Sequence, residues 1–201
     1  VKKDNQTFNR KVALRLSALK EIPQPVVLET HGGAGKIYQA CYSDIKQGVV
    51  FEKNPEKASL LSRQRQTWSV YECDSTRSIA EGAGAHLPVN LLDCDPYGSP
   101  WDVIDAFLFS ERPKAEKLWI VVNDGLRVNI KMKTAWKIAQ LAPLVASYGN
   151  DLYGCYLGVC EELLKAKASQ VGYDLRGFRG YYCGFQQNMA HYAARLERGA
   201  N

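Results

Sequence analysis

Short apolar runs alternate with amphipathic stretches along nearly the whole chain, and this alternation constrains the fold more than any other feature. Val26–Glu29, Gly48–Glu52, Trp68–Cys73, Val89–Asp95 and Leu118–Asn123 read as buried strands. Helical patterns separate them, at Lys36–Ser43, Pro55–Gln66, Asp74–Glu81 and Pro100–Phe109. Residues 7–20 form a helix ahead of the first strand, and Pro23 and Pro25 end it. After the fifth strand, 130–147 contains a longer helix and 151–168 another, and the Gly- and Tyr-rich tail 171–198 supplies a β-hairpin. Parallel strands need crossovers, and helical crossovers cover both faces of a sheet. The expectation is a Rossmann-like, doubly wound α/β fold. Its seven-stranded sheet is mostly parallel and closes in a C-terminal antiparallel hairpin. No repeat or linker interrupts the pattern, so residues 1–201 are expected to form one domain. In open parallel sheets ligands bind at the carboxyl ends of strands.

Composition removes several function classes. No apolar run approaches the ~20 residues of a membrane helix, and the first residues, VKKDNQTFNRK, lack the apolar core of a signal peptide. The six cysteines include no Cys-x-x-Cys pair, and only three histidines are present. That spacing argues against a zinc site and for reduced, buried thiols in a cytoplasmic protein. Lys and Arg exceed Asp and Glu by 26 to 21, a net +5 that leans toward a polyanionic partner.

The strand ends carry the chemistry. The first ends in ETHGGAGK. A P-loop would need Ser or Thr after Gly35-Lys36, and Ile37 stands there. A dinucleotide fingerprint would need a small residue where Tyr38 stands. The remaining pattern is acidic-x-x-x-Gly-x-Gly, Glu29 with Gly33 and Gly35. It resembles the first motif of the class I S-adenosylmethionine-dependent methyltransferases. Glu52 ends the second strand 17 positions after Gly35, and a carboxylate there can accept from both hydroxyls of a ribose. Asp74 follows 22 positions later, resembling the acidic residue that accepts from the adenine amino group, or capping the next helix. The fourth strand ends in LLDCDPYGSPW. Asp95-Pro96-Tyr97-Gly98 resembles the Asp/Asn-Pro-x-aromatic motif of methyltransferases that act on exocyclic amines. The lone pair of such an amine is delocalised into the ring. A carboxylate and the Pro96 carbonyl can orient its two N–H bonds, and Tyr97 offers a face on which a flipped base can stack. On an extended strand Asp93 points with Asp95 and Cys94 points opposite. Cys94 is not preceded by Pro, so it is not read as a cytosine-C5 nucleophile.

Within that superfamily, DPYGSP is similar to the signature of the tRNA guanine-N2 dimethyltransferase family. Phe8-Asn9-Arg10 resembles that family's FNR-type segment. LWIVVNDG (Leu118–Gly125) stands where the family's fifth strand ends in Thr/Asp residues; Asp124 matches and Asn123 departs. His191-Tyr192 is loosely similar to a late HY-containing strand. The resemblance implies S-adenosylmethionine as cofactor, held by Glu29, His31, Gly33, Gly35, Glu52, Asp74, Asp93 and Arg10. It implies transfer through Asp95, Pro96 and Tyr97, with no metal and no membrane. His31 and Lys36 depart from the family's first motif. The chain is also far shorter than the family's members.

Substrate contacts are expected from Tyr97, Gly98, Trp101 and Asp124, and from Arg127, Lys131 and Lys133. The last three belong to 126–150, a stretch with four basic and no acidic residues. It either contacts the phosphates of a nucleic acid or is a solvated helix face. Trp101 either lines a pocket or packs inside. Guanine in tRNA leads as substrate. The alternatives are adenine or cytosine in DNA, a small-molecule or protein amine, and a non-catalytic binding module.

Overall fold

Helix α1 (Gln6–Leu19) turns Leu14 and Ala18 inward, and the chain then passes Pro23 and Pro25 into β1 (Val26–Glu29). This computed structural model describes residues 6–199. The further strands are β2 (Gln47–Glu52), β3 (Ser69–Glu72), β4 (Val89–Cys94), β5 (Lys114–Asp124), β6 (Tyr173–Cys183) and β7 (Met189–Arg198). They form one sheet in the order β3-β2-β1-β4-β5-β7-β6. The first five run parallel, while β7 lies antiparallel between β5 and β6. The order reverses at β1 and β4, so their carboxyl ends flank the crevice where such sheets take ligands.

The strand period of two sorts side chains onto two faces. On one, Val27, Val50, Leu91, Val121 and Ala193 pack under α1, under a wide π-helical turn (Tyr38–Tyr42) and under α2 (Pro55–Gln64). On the other, Leu28, Phe51, Leu92, Val122 and Ala194 pack against α3 (Ser75–Ala80), α4 (Trp101–Phe109) and α7 (Leu152–Gln170). Local chemistry starts two of these helices. Asn54 caps α2 by accepting from the Lys57 N–H, with Pro55 in its first turn, and Asp74 caps α3 by accepting from Arg77 N–H.

One expectation fails. The single longer helix within 130–147 is three pieces: α5 (Arg127–Lys131), a 3-10 turn (Ala135–Lys137) and α6 (Ala142–Tyr148). Lys133 adopts a φ of 56°, outside the helical region. Pro143 has no N–H to donate and sits in the first turn of α6, where none is needed. The β6–β7 turn is folded back onto this segment. Among the described residues no helix is long and apolar enough to cross a membrane.

Candidate active site

The glycine turn after β1 gathers the first part of the site. Gly33 and Gly35 take φ of 55° and 75°, which L side chains rarely adopt, and a Cβ at Gly35 would also strike the Gln64 side chain. Both oxygens of Glu52 accept from backbone: Oε2 from Gly33 N–H at 2.8 Å and Oε1 from Asn54 N–H at 2.9 Å. This carboxylate therefore braces the turn and holds the end of β2 beside it. Asp74 is exposed at the end of β3, with Lys53 at 3.9 Å. His31 is half-buried, its Nδ1 2.7 Å from Thr30 Oγ1. Burial lowers its pKa, and Asp95, Glu52, Asp74 and Asp93 act on it in the opposite sense. The ends of β2, β3 and β4 therefore gather around this imidazole, which follows β1.

Two acidic residues predicted for the cofactor lie beneath this surface. Glu29 is buried and paired with the buried guanidinium of Arg65, which stacks over Tyr38 at 4.3 Å. Burial pushes the Glu29 carboxyl up, and Arg65 opposes that. Asp93 is buried too. Arg15 grips it with two hydrogen bonds, Nε to Oδ2 at 2.7 Å and Nη2 to Oδ1 at 2.6 Å, and the Tyr42 hydroxyl donates to Oδ2 at 2.7 Å. Burial works against the Arg15 charge, but Asp93 outweighs it and holds the guanidinium pKa above its ordinary value. Glu29 and Asp93 are only 3% and 1% exposed, so they brace the site from beneath.

Asp95, just past β4, is more accessible, with 29% of its side chain exposed. Lys11 Nζ donates to both of its oxygens at 3.1 Å. Burial would raise the Asp95 pKa, but Lys11 and Arg15 outweigh it and hold the carboxyl below the usual carboxylate range. Lys11 and Arg15, which the sequence reading did not single out, have a legible geometric reason to be here. Four helical residues rise about 6 Å and two strand residues about 6.6 Å. Cations at positions 11 and 15 therefore match carboxylates at 95 and 93 when α1 runs antiparallel to β4. Arg10 points elsewhere, over the Tyr181 ring at 3.7 Å and toward the Tyr182 carbonyl at 3.5 Å.

Pro96 is partly exposed and Tyr97 fully so. Gly98 has a φ of 110°, and its carbonyl accepts from Gly125 N–H at 3.2 Å, tying this loop to the one after β5. Three residues expected to contact substrate lie inside the protein. Trp101 is fully buried among the core residues under α4. Asp124 is fully buried and accepts from Leu126 N–H at 2.7 Å and the Tyr156 hydroxyl at 2.8 Å. Arg127 is buried with its guanidinium between the rings of Tyr153 and Tyr182, each at 3.6 Å, and it donates to the carbonyls of Tyr153 and Gln187. It clamps α5 to α7 and the hairpin turn, and only 3% of the residue is exposed. Lys131 bonds Gln186 in that turn, while Lys133 is exposed. Both border a cavity of about 350 Å³ with Trp136, Asn150 and Tyr153. Among the described residues no group of three His, Cys, Asp or Glu could hold a metal ion.

Burial alone raises the Asp124 carboxyl to about 7, against the hydrogen bonds it accepts. The native state then keeps a proton that an unfolded carboxyl releases near pH 4. This contribution to stability is complete below about pH 4 and disappears as pH rises through about 7. The stability difference between wild type and Asp124→Asn, read by urea unfolding, should therefore shift in favour of the variant from pH 4 to 7. A pH-independent difference would refute it.

No protein-family model matches the chain, nor does any protein of curated function. Solved structures do. Trm1 from Pyrococcus horikoshii, in complex with S-adenosyl-L-methionine, superposes with a TM-score of 0.71 at 14% identity over 100% of this chain. The match covers 57% of that chain, so the present chain spans little more than half of its length. TYW2 from M. jannaschii, in complex with AdoMet, gives 0.56 at 16% identity over 98% of this chain and 78% of the other. N-methyltransferase NodS from Bradyrhizobium japonicum, in complex with S-adenosyl-L-homocysteine, gives 0.61 at 10% identity, covering 99% and 90%. At these identities the likeness is one of fold: the chain has the class I fold of S-adenosylmethionine-dependent methyltransferases.

Proposed function

We propose that this chain methylates an exocyclic amino nitrogen of a nucleic-acid base with S-adenosylmethionine, and that guanine N2 in tRNA is the leading target. The observation that carries this reading is the convergence of Glu52, Asp74 and Asp95 on one sheet edge, with Tyr97 fully exposed beside them. The donor set fits the cofactor. Glu52 and Asp74 present acceptors for ribose hydroxyls and an adenine amine, and a Cβ at Gly33 would project into open space. When bound, S-adenosylmethionine supplies a methyl group already activated on a sulfonium, so no metal is required.

The chain's own residues do the rest. Asp95 stays ionised, so its oxygens accept an amine N–H and oppose the positive charge that grows on nitrogen as the N–C bond forms. The Pro96 carbonyl accepts the second N–H. Tyr97 stacks on the extruded base, and aromatic stacking is worth about 1–3 kcal/mol per base. The amine surplus proton leaves to solvent after transfer, because a carboxylate held this acidic is a weak base. Lys131, Lys133 and the exposed Trp136 border a cavity in the segment after β5 and would supply cations and a ring for the strand around the target. The likeness to Trm1 and the DPYGSP signature favour tRNA. The six cysteines are unpaired, which supports a cytoplasmic setting.

Labelled methyl transfer to unmodified tRNA and to unmethylated DNA tests the proposal, followed by nucleoside analysis. N2-methylguanosine in tRNA is the expected product. Tyr97→Ala should raise the KM for tRNA about tenfold or more with cofactor affinity unchanged. Transfer to a small amine, insensitive to salt and with no nucleic-acid product, would overturn it.

A further inference from the structure

Asp95 begins a polar row that runs across the sheet at its carboxyl edge. The register pairs Cys94 with Val122, which brings Asp95 level with Asn123. Asn123 pairs with His191 on β7, and His191 pairs with Tyr181 on β6. All four face α1, as do Val121 and Ala193 two residues away. Asn123 is 1% exposed and His191 0%. Asn123 Nδ2 donates toward the Asp95 carboxylate, yet Asn123 Oδ1 has no hydrogen-bond partner, and neither does His191 Nε2. Buried polar atoms are nearly always paired, and leaving a donor or acceptor empty is costly. Two adjacent side chains with one such atom each, next to the carboxylate that would hold the substrate amine, are equipped for a ligand.

We infer that Asn123 and His191 read the target base beside its amine, and that their chemistry selects guanine. The inference rests on the proposed methyl transfer to a base amine. Next to its exocyclic amine guanine has a donor, N1–H, and beyond it an acceptor, O6. Adenine N1 and cytosine N3 are acceptors in the adjacent position. With Asp95 on the amine, Asn123 Oδ1 accepts from N1–H while His191 Nε2 donates to O6, so both orphan atoms are satisfied together. Adenine or cytosine satisfies at most the donor. The tautomer of His191 makes it that donor. The Tyr181 hydroxyl lies 3.1 Å from its Nδ1, and assigning that hydroxyl as donor puts the proton of the neutral ring on Nε2. Burial holds the ring neutral, lowering its pKa to about 3, and Lys11 and Arg15 act in the same sense. The base enters from the exposed side of Asp95, and its amine takes the place of Lys11 Nζ on that carboxylate. Lys11 is a flexible side chain that can withdraw.

Two substitutions test this together, one in the enzyme and one in the substrate. Asn123→Leu keeps the side-chain volume and removes the orphan acceptor. It should lower kcat/KM on tRNA at least about tenfold, leave cofactor affinity unchanged, and leave Tm unchanged or higher. A residue with only a structural role would not lower turnover while preserving the fold. Replacing the target guanine by 2-aminopurine keeps the 2-amine but makes N1 an acceptor and deletes O6. Wild type should lose a similar factor on it, and Asn123→Leu should treat both substrates alike. Equal wild-type turnover on guanine and 2-aminopurine would overturn the inference, and this holds even where the variant fails to fold. So would a methylated adenine or cytosine as product, which would leave the proposed reaction class standing. Absence of transfer to any nucleic acid would remove that class, and this inference with it.

Discussion

Asp95→Ala is expected to lower methyl transfer by about 10²–10⁴-fold while S-adenosylmethionine still binds. The carboxylate combines partial exposure with a cation, Lys11, that donates to both of its oxygens where an amine would be held. Lys11 Nζ is itself an N–H donor on both oxygens, so the resting enzyme shows what Asp95 is arranged to grip. Cofactor affinity should survive because Glu52 and the glycine turn are braced by their own backbone bonds and not through Asp95. The control is Lys11→Met, which breaks the same ion pair but keeps the carboxylate. It should retain most of its turnover, so loss of the ion pair alone cannot explain the Asp95→Ala defect. Single-turnover methyl transfer and calorimetric cofactor binding read the two quantities separately. Asp95→Ala turning over like wild type would end the assignment.

The largest effect on stability is expected at Arg15. Its guanidinium and the Asp93 carboxylate are both buried, with two short hydrogen bonds between them and a third from Tyr42. Desolvating two charges costs much of what their attraction returns, so the pair adds little net stability. Removing one partner is a different matter, because it strands the other charge in a medium that cannot solvate it. Arg15→Met should cost about 3–5 kcal/mol, seen as a lower urea midpoint at unchanged slope. The double variant Arg15→Met/Asp93→Leu should recover more than half of that loss, with the Tyr42 hydroxyl left as the remaining orphan. Additive losses in the double variant would show that the pair is not coupled. Because Arg15 also helps hold Asp95 ionised, the double variant should lose activity that its stability does not account for.

The strands, their order of appearance and the chemistry at their ends were largely legible in the sequence. Each of these depends on neighbours within a few positions: a period of two, a glycine that must take positive φ, an Asp-Pro turn. The five parallel strands fall where the apolar runs lie, and the tail forms the antiparallel hairpin. What the sequence left out is long-range. Nothing local distinguishes Arg10, which stacks on Tyr181, from Lys11, which holds Asp95, because the choice is made by which face of α1 meets the sheet. The paired spacings 11–15 and 93–95 were visible, but their match requires knowing that α1 crosses β4.

Burial decided the rest. Glu29, Asp93, Trp101, Asp124 and Arg127 have the residue types of a site and stand beside it, yet all five lie beneath its surface. Exposure is set by what packs on top, which no strand pattern records. The same holds for Asn123 and His191, 68 residues apart and brought side by side by an antiparallel pairing. By itself the sequence determined a doubly wound sheet with acids at its carboxyl edge, because periodicity and turn chemistry are local. Only the tertiary structure decided which acids remain open to a ligand and which are committed to buried cations, because desolvation and pairing depend on every element packed around them.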